Sequence, residues 1–216
     1  MLKLRLRLVV LILPALVLGL TGVALAQGSS ADQAPVKFSR QDFHDDMRKL
    51  WEDHITWTRL AIVSFAGDLD DLTPTLDRLL QNQSDIGDAI KPFYGDAAGE
   101  ALTDLLEEHI LGAVAILQAA SGGGGDLQDA LDAWYDNGNE IADFLNAANP
   151  AFWPQDEMRL MMKEHLDLTL AEATARLGGD FNADIAAYEE IHEQILEMAD
   201  MLSSGIMSQF PRNFRS

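Results

Sequence analysis

Four histidines lie in the middle of long amphipathic segments, and their positions define the chemistry that this sequence could support. His54, His109, His165 and His192 each have apolar residues at the three-, four- and seven-residue spacings of one helix face. Neutral imidazoles suit zinc, iron, copper or nickel. We therefore expect a pocket for a metal ion or small polar ligand, with zinc, iron or copper as the possible cofactor.

Carboxylates and polar side chains near these histidines extend the candidate site. Glu189 precedes His192 at the Glu-x-x-His spacing that di-metal helical bundles use, and Glu172 lies two turns after His165. Glu172 could instead orient a ligand histidine. The candidate metal ligands are His54, His109, His165, His192, Glu189, Glu172, Asp85 and Glu140. The candidate residues that orient them are Asn82, Asn137, Thr58 and Thr169.

Other interpretations of the same pattern stay open. Buried histidines can also form a polar layer that fixes helix register, as in a non-metal structural or protein-interaction module. Non-covalent haem is a further possibility. Methionines in the last two segments would favour copper, although such residues usually only fill a core. No catalytic residue is assigned, because the sequence has no Cys, no Gly-x-Ser-x-Gly and no His-Glu-x-x-His.

Six helices are needed to carry these residues. From Phe38 onward the apolar positions repeat with a helical period, and no segment shows the alternation of a strand. The expected helices span residues 41–66, 72–91, 97–120, 126–147, 155–177 and 181–206. Short connections between long helices predict an all-α, antiparallel six-helix bundle, ferritin-like in style.

An internal repeat suggests how the bundle is built. Residues 82–87 resemble residues 137–142, 55 positions later, and residues 105–110 resemble residues 161–166, 56 positions later. A duplicated helix pair, flanked by the first and last helices, predicts a pseudo-two-fold bundle of two halves. The histidines and Asn82 and Asn137 lie near their helix midpoints, so we expect them in one central layer.

The N-terminal segment has the pattern of a signal peptide. Lys3, Arg5 and Arg7 precede an apolar run and an Ala-Leu-Ala cleavage site at residues 24–26. We expect a signal peptide at residues 1–26, a flexible linker at 27–38, a helical bundle domain at 39–211 and a tail at 212–216. The protein would be exported, periplasmic or secreted, with no stable membrane span after cleavage, or N-terminally anchored if uncleaved.

The composition limits the partners of this protein. The chain has 15 Lys and Arg against 35 Asp and Glu, a formal net charge of −20. Nucleic-acid binding depends on clustered basic residues, so we expect no nucleic-acid partner. A metal ion or a small ligand is the expected partner, and protein partners are left unassigned.

Several motifs between residues 47 and 211 resemble one family of bacterial proteins. They are Leu-Trp-x-x-His-x-x-Trp-Thr-Arg at 50–59, Leu-Leu-x-Asn-x-x-Asp-Ile-Gly at 79–87, Pro-Phe-Tyr-Gly at 92–95, Asn-Pro at 149–150 and Glu-His-Leu-x-Leu-Thr at 164–169. The family comprises uncharacterised exported or small helical proteins that are often labelled glycosyltransferases. The resemblance implies the helical family but not the transferase activity, because the chain lacks transferase motifs. It also implies that His192 is the histidine least shared with relatives.

Overall fold

The computed structural model describes residues 37–215, which form six α-helices and one short 3₁₀ helix. The helices are α1 (Arg40–Ala66), α2 (Leu72–Tyr94), α3 (Asp96–Ala120), α4 (Leu127–Ala148), α5 (Gln155–Gly178) and α6 (Phe181–Gln209), followed by the 3₁₀ helix Pro211–Asn213. The expected all-α class is confirmed. The expected signal peptide at 1–26, and all but the last two residues of the expected linker, lie outside the described residues.

Side-chain caps explain where several helices begin. The side chain of Ser39 accepts a hydrogen bond from the Asp42 amide at the start of α1. Asp126 and Asp180 cap α4 and α6 in the same way. These oxygens satisfy backbone N–H groups that have no partner within the helix. At the other end of α5, Gly179 adopts a left-handed conformation with φ of 78°, which a glycine adopts without strain.

The helices pack around a common apolar core. Each helix contacts the next one along the chain, and α6 contacts α1, so the order of contacts closes into a ring. The main apolar cluster draws residues from all six helices, including Trp51, Trp134 and Met198. The methionines of α5 and α6 mostly belong to this core, with Met158 and Met162 buried. None of the helices in residues 37–215 is both long enough and apolar enough to cross a membrane.

The two ends of the described chain are joined to each other. Phe38 and Phe214 form an isolated β-bridge, and Phe214 is only 3% exposed. The rings of Phe43 and Phe93 pack against the same pair. The packed domain therefore extends beyond the expected limits of 39–211, and residues 212–215 do not form a free tail.

Two glycines allow α2 and α3 to approach closely. A Cβ atom added at Gly87 would lie 2.5 Å from the backbone oxygen of Gly99, and one added at Gly99 would lie 2.6 Å from that of Gly87. Backbone atoms cannot move aside as side-chain ends do. Any larger residue at either position must therefore separate the two helices.

We expect Gly87→Ala to lower the free energy of unfolding by about 1–3 kcal/mol, because it forces this contact apart. The matched control is Gly178→Ala, whose Cβ would have no neighbour within 4 Å. The control should change stability by less than about 1 kcal/mol. Chemical denaturation of both variants measures the difference, and equal stabilities would contradict the close glycine contact.

Candidate metal centre

Three of the four candidate histidines meet inside the bundle. His54 on α1, His109 on α3 and His165 on α5 are 2–3% exposed. The ring centroids are 6.5 Å apart for His54 and His109, 5.6 Å for His54 and His165, and 6.1 Å for His109 and His165. Each ring therefore lies next to the other two, and the three form a nearly regular triangle.

Each ring is held by a carboxamide from the next helix along the chain. The pairs are His54 with Gln83 at 3.2 Å, His109 with Asn137 at 3.1 Å and His165 with Gln194 at 3.2 Å, in every case between ring Nδ1 and the amide oxygen. The partners are 29, 28 and 29 residues apart in sequence. The same polar unit thus occurs in three helical hairpins, α1–α2, α3–α4 and α5–α6.

Backbone carbonyls fix the orientation of these amides. Gln83 Nε2 donates to Leu79 O at 2.7 Å, Asn137 Nδ2 to Leu105 O at 3.1 Å and Gln194 Nε2 to Met161 O at 3.2 Å. Since each amide nitrogen is engaged as a donor, each amide oxygen is the atom that accepts from the ring. Nδ1 of each neutral imidazole must therefore carry the proton, and Nε2 keeps a free lone pair.

This threefold recurrence differs from the two-fold repeat expected from sequence. The three contacts join the first helix to the second, the third to the fourth and the fifth to the sixth, whereas the sequence repeat relates the second helix to the fourth and the third to the fifth. The internal duplication stays a prediction from the sequence. Asn82, which the sequence aligned with Asn137, donates to Leu50 O at 3.0 Å. Its neighbour Gln83 contacts the His54 ring instead. In α4, Asn137 alone makes both bonds, one to a histidine ring and one to a backbone carbonyl of the preceding helix.

A cavity of about 10 Å³ lies among the three rings. Its polar walls are His54, His109, His165, Thr58, Thr169 and Glu172, and its apolar walls are Ile55, Ile110, Ala113, Trp134 and Ile191. This volume accommodates about one water-sized particle. The hydroxyls of Thr58 and Thr169 donate to the carbonyls of His54 and His165, each at 2.8 Å, so only their lone pairs remain available.

Glu172 is the one carboxylate that lines this cavity. Its Oε1 accepts a hydrogen bond from Arg59 at 2.7 Å, and the same guanidinium nitrogen lies 2.7 Å from Asp184. Arg176 also reaches Asp184, at 3.2 Å. Burial raises the pKa of Glu172 to about 7, although Arg59 acts in the opposite direction. Two carboxylates and two guanidinium groups thus form a compact cluster at one side of the rings.

Four candidate ligands lie outside this layer, which corrects the prediction from sequence. His192 is partly exposed and its Nε2 lies 2.9 Å from Glu52. Glu189 and Glu140 are exposed. Asp85 lies toward Arg78, at 3.7 Å. For His192 and Asp85 the physical reason is helical geometry, because each lies two residues, or about 200° around the helix, from an amide that faces inward, Gln194 and Gln83 respectively.

Sequence reasoning missed Gln83, Gln194, Arg59 and Asp184 as parts of the site. A signal for the two glutamines was present, since a carboxamide follows each of the three buried histidines by 28 or 29 residues. No comparable signal marked the pairing of Arg59 with Asp184, which are 125 residues apart. Only the packing of α1 against α6 brings them together.

The environment keeps the three rings neutral. Burial lowers the pKa of His109 to about 3 and that of His165 to about 4. Burial, followed by the proximity of His165 and His109, holds the pKa of His54 well below its ordinary value. Neutral imidazole is the form that binds a metal ion.

The ring triangle is slightly wider than a formed metal site. Within residues 37–215, no group of three or more His, Cys, Asp or Glu side chains has the geometry to hold a metal ion. Bond lengths of ~2.1 Å would place the ring centroids roughly 5–5.5 Å apart. The rings would therefore have to move together by less than about 1 Å on average to bind an ion.

No family model, no curated protein and no solved structure matches this chain. The resemblance to exported helical proteins therefore stays a prediction from the sequence motifs.

Acidification should destabilise the protein through these rings. An unfolded histidine has a pKa near ~6.5, so between that value and the lowered folded pKa the unfolded chain binds more protons. For each ring, the free energy of unfolding should fall by up to about 1.4 kcal/mol per pH unit below ~6.5. The fall should stop once the pH is below the pKa of the folded ring. The raised pKa of Glu172 opposes part of this loss, because here the folded protein binds more protons than the unfolded chain. The stabilisation that Glu172 contributes is therefore present in acid and disappears as the pH rises toward about 7.

The pH effect can be isolated by comparing the parent with His109→Gln. The stability difference between the two proteins should narrow as the pH falls from 7.5 to about 4.5, because only the parent must bury an uncharged His109 ring. Urea unfolding at several pH values measures it, and His192→Gln is the control at a ring outside the core. A difference that stays constant over this range would contradict the desolvation of His109.

Proposed function

We propose that this protein binds one transition-metal ion between the Nε2 atoms of His54, His109 and His165. The observation that carries the proposal is the fixed tautomer of the three rings. Their hydrogen bonds within residues 37–215 are all made by Nδ1, so the Nε2 atom of each ring has no partner there, and the three rings line one cavity. One water molecule has only two protons and cannot donate to three acceptors. A cation interacts favourably with all three at once.

The groups around the rings support the same function. Histidines that bind metals almost always donate their other ring N–H to a carbonyl or carboxylate oxygen. Here Gln83, Asn137 and Gln194 supply that oxygen. The cavity of about 10 Å³ holds about one water-sized particle, a size that suits a single ion. The proposed function is therefore binding of the ion.

A structural polar layer is the second candidate function. It is favoured by the complete pairing of all three Nδ1 atoms, which already fixes the rings without an ion. The wider spacing of the rings also suits a layer that never closes on a metal. This candidate gives no role to the three Nε2 atoms, which make no hydrogen bond within residues 37–215.

The pattern of residues 1–26 adds a location to the proposal. A basic start, a short apolar run and a small-residue cleavage site are typical of a secretory signal. The proposed metal-binding protein would act in the periplasm or outside the cell. Because the sequence has no Cys, no disulfide can stabilise the exported protein, and its fold depends on the core, with or without a bound ion.

Thermal unfolding with added ions tests the proposal. Zn²⁺, a copper ion or Fe²⁺ should raise the melting temperature of the parent, because a ligand that binds only the folded state stabilises it. Ion concentrations about 100-fold above the dissociation constant would add about 2.7 kcal/mol. His109→Gln and His165→Gln should each lose most of this shift, because Gln keeps polarity and coordinates poorly.

His192→Gln is the matched control, since it removes a histidine that lies away from the cavity. It should keep the full metal-dependent shift. Equal shifts in the parent and in the His109 and His165 variants would place the ion elsewhere, such as on the acidic surface. No shift with any ion would support the structural layer instead.

A further inference from the structure

We propose that the end of the bundle where the three hairpins turn is a docking surface for another protein, whose contact surface has an apolar patch surrounded by Lys and Arg. The surface comprises the hairpin connections at residues 67–71, 121–126 and 179–180 and the helical turns that adjoin them. We call it the turn face. It lies apart from the histidine layer, so this inference does not depend on the proposed function.

The three connections lie at one end of the bundle. Ile62, Leu117 and Ala173 form one buried apolar cluster, although they belong to three different helices. They lie four, three and five residues before the last residues of α1, α3 and α5. Because a helix rises about 1.5 Å per residue, all three helix ends lie within about 8 Å of the shared cluster along the helix axes. The connections that follow these ends therefore share one face.

Exposed apolar side chains are concentrated on the turn face. Within residues 37–215, nine large apolar residues are exposed. Six of them lie in the connections or within two helical turns of them: Leu60, Leu69, Leu127, Leu177, Phe181 and Ile185. Each connection contributes one, since Leu69, Leu127 and Phe181 are 47%, 41% and 56% exposed. Single exposed apolar residues are ordinary, but several on one face are typical of a surface that contacts a partner.

The connections of the turn face are acidic. They contain five aspartates and no Lys or Arg, with Asp68, Asp70 and Asp71 in the first, Asp126 in the second and Asp180 in the third. All five are exposed. Asp126 and Asp180 cap their helices through Oδ1, and within residues 37–215 Oδ2 of each makes no hydrogen bond. The turn face therefore combines exposed apolar side chains with negative charge.

This combination selects the partner by charge complementarity. Two turn faces would repel each other, and a second copy of this chain also carries a net charge of −20. An anionic membrane would be repelled for the same reason. Arg176 stacks on the ring of Phe181, but it is paired with the buried Asp184 at 3.2 Å and does not neutralise the aspartates of the connections. A protein surface with Lys and Arg around an apolar patch complements both features, in the common arrangement of an apolar centre and a polar rim.

An NMR titration with a synthetic amphipathic helix of leucine and lysine tests the turn face. Amide shifts of the labelled protein should be confined to residues 67–72, 121–127 and 177–185. Leu127→Ser and Phe181→Ser should each weaken binding by about tenfold or more, because each removes a large apolar side chain from the contact. Leu160→Ser is the matched control, since Leu160 is 68% exposed but lies 18 residues before the end of α5. It should bind like the parent, and circular dichroism should show intact helices in all variants.

A pair of neutral substitutions tests the contribution of charge. Asp70→Asn combined with Asp71→Asn should weaken peptide binding by about threefold at low salt, and the loss should disappear in ~1 M salt, where the Debye length is ~3 Å. The control is Glu100→Gln combined with Asp104→Asn, which removes the same charge from exposed positions of α3. The control should retain the affinity of the parent. Equal losses for the two pairs would overturn the complementarity.

Other outcomes would overturn the proposal. Failure of the peptide to bind, or amide shifts spread over all six helices, would show that the turn face has no special affinity for a basic amphipathic surface. Sedimentation of the parent alone as a dimer or longer chain, returned to monomer by Phe181→Ser, would assign the turn face to a second copy. Binding to phosphatidylcholine vesicles that Phe181→Ser abolishes would assign it to a membrane.

Discussion

The hydrogen bonds from three amide nitrogens to backbone carbonyls determine the state of the central layer. If these amides were free to rotate, each could present either its nitrogen or its oxygen to the neighbouring ring. Because Gln83, Asn137 and Gln194 each use their nitrogen on a helix backbone, only the oxygen remains for the histidine. The tautomer of the ring, and hence the chemistry of Nε2, is thus set by main-chain geometry.

The order of the helices brings the members of this layer together. Each hairpin brings one histidine and one carboxamide to the centre, so three hairpins supply a complete layer. The contact between α1 and α6 closes the ring of helices, and Arg59 joins α1 to Glu172 on α5 and Asp184 on α6. Removal of Arg59 would leave two buried acids without this partner, a strongly destabilising change for buried charges. The ion pairs of Arg59 therefore link α1 to α5 and α6 beside the rings.

Much of this architecture could be predicted from local sequence. The 3.6-residue apolar period placed all six helices, and apolar flanks identified His54, His109 and His165 as buried. His192 also had apolar flanks, but its helix can direct only one of two nearby polar residues to the centre, and that residue is Gln194. Residues far apart in sequence were beyond local patterns, as Arg59 and Glu172 show with 113 residues between them.

The threefold relation was hidden by a one-residue difference between hairpins. Asn82 and Asn137 match in sequence, yet the residue equivalent in contact to Asn137 is Gln83, whose longer side chain reaches His54 from the next position. Gln83 and Asn137 thus make the same contact to a histidine ring, although the sequence repeat aligns Asn137 with Asn82. The contacts define three histidine–carboxamide pairs. Their three Nε2 lone pairs need three donors, and one water molecule has only two protons to donate. The recurrence of the histidine–carboxamide contact in three places therefore sets the number of Nε2 atoms on which the proposed cation binding depends.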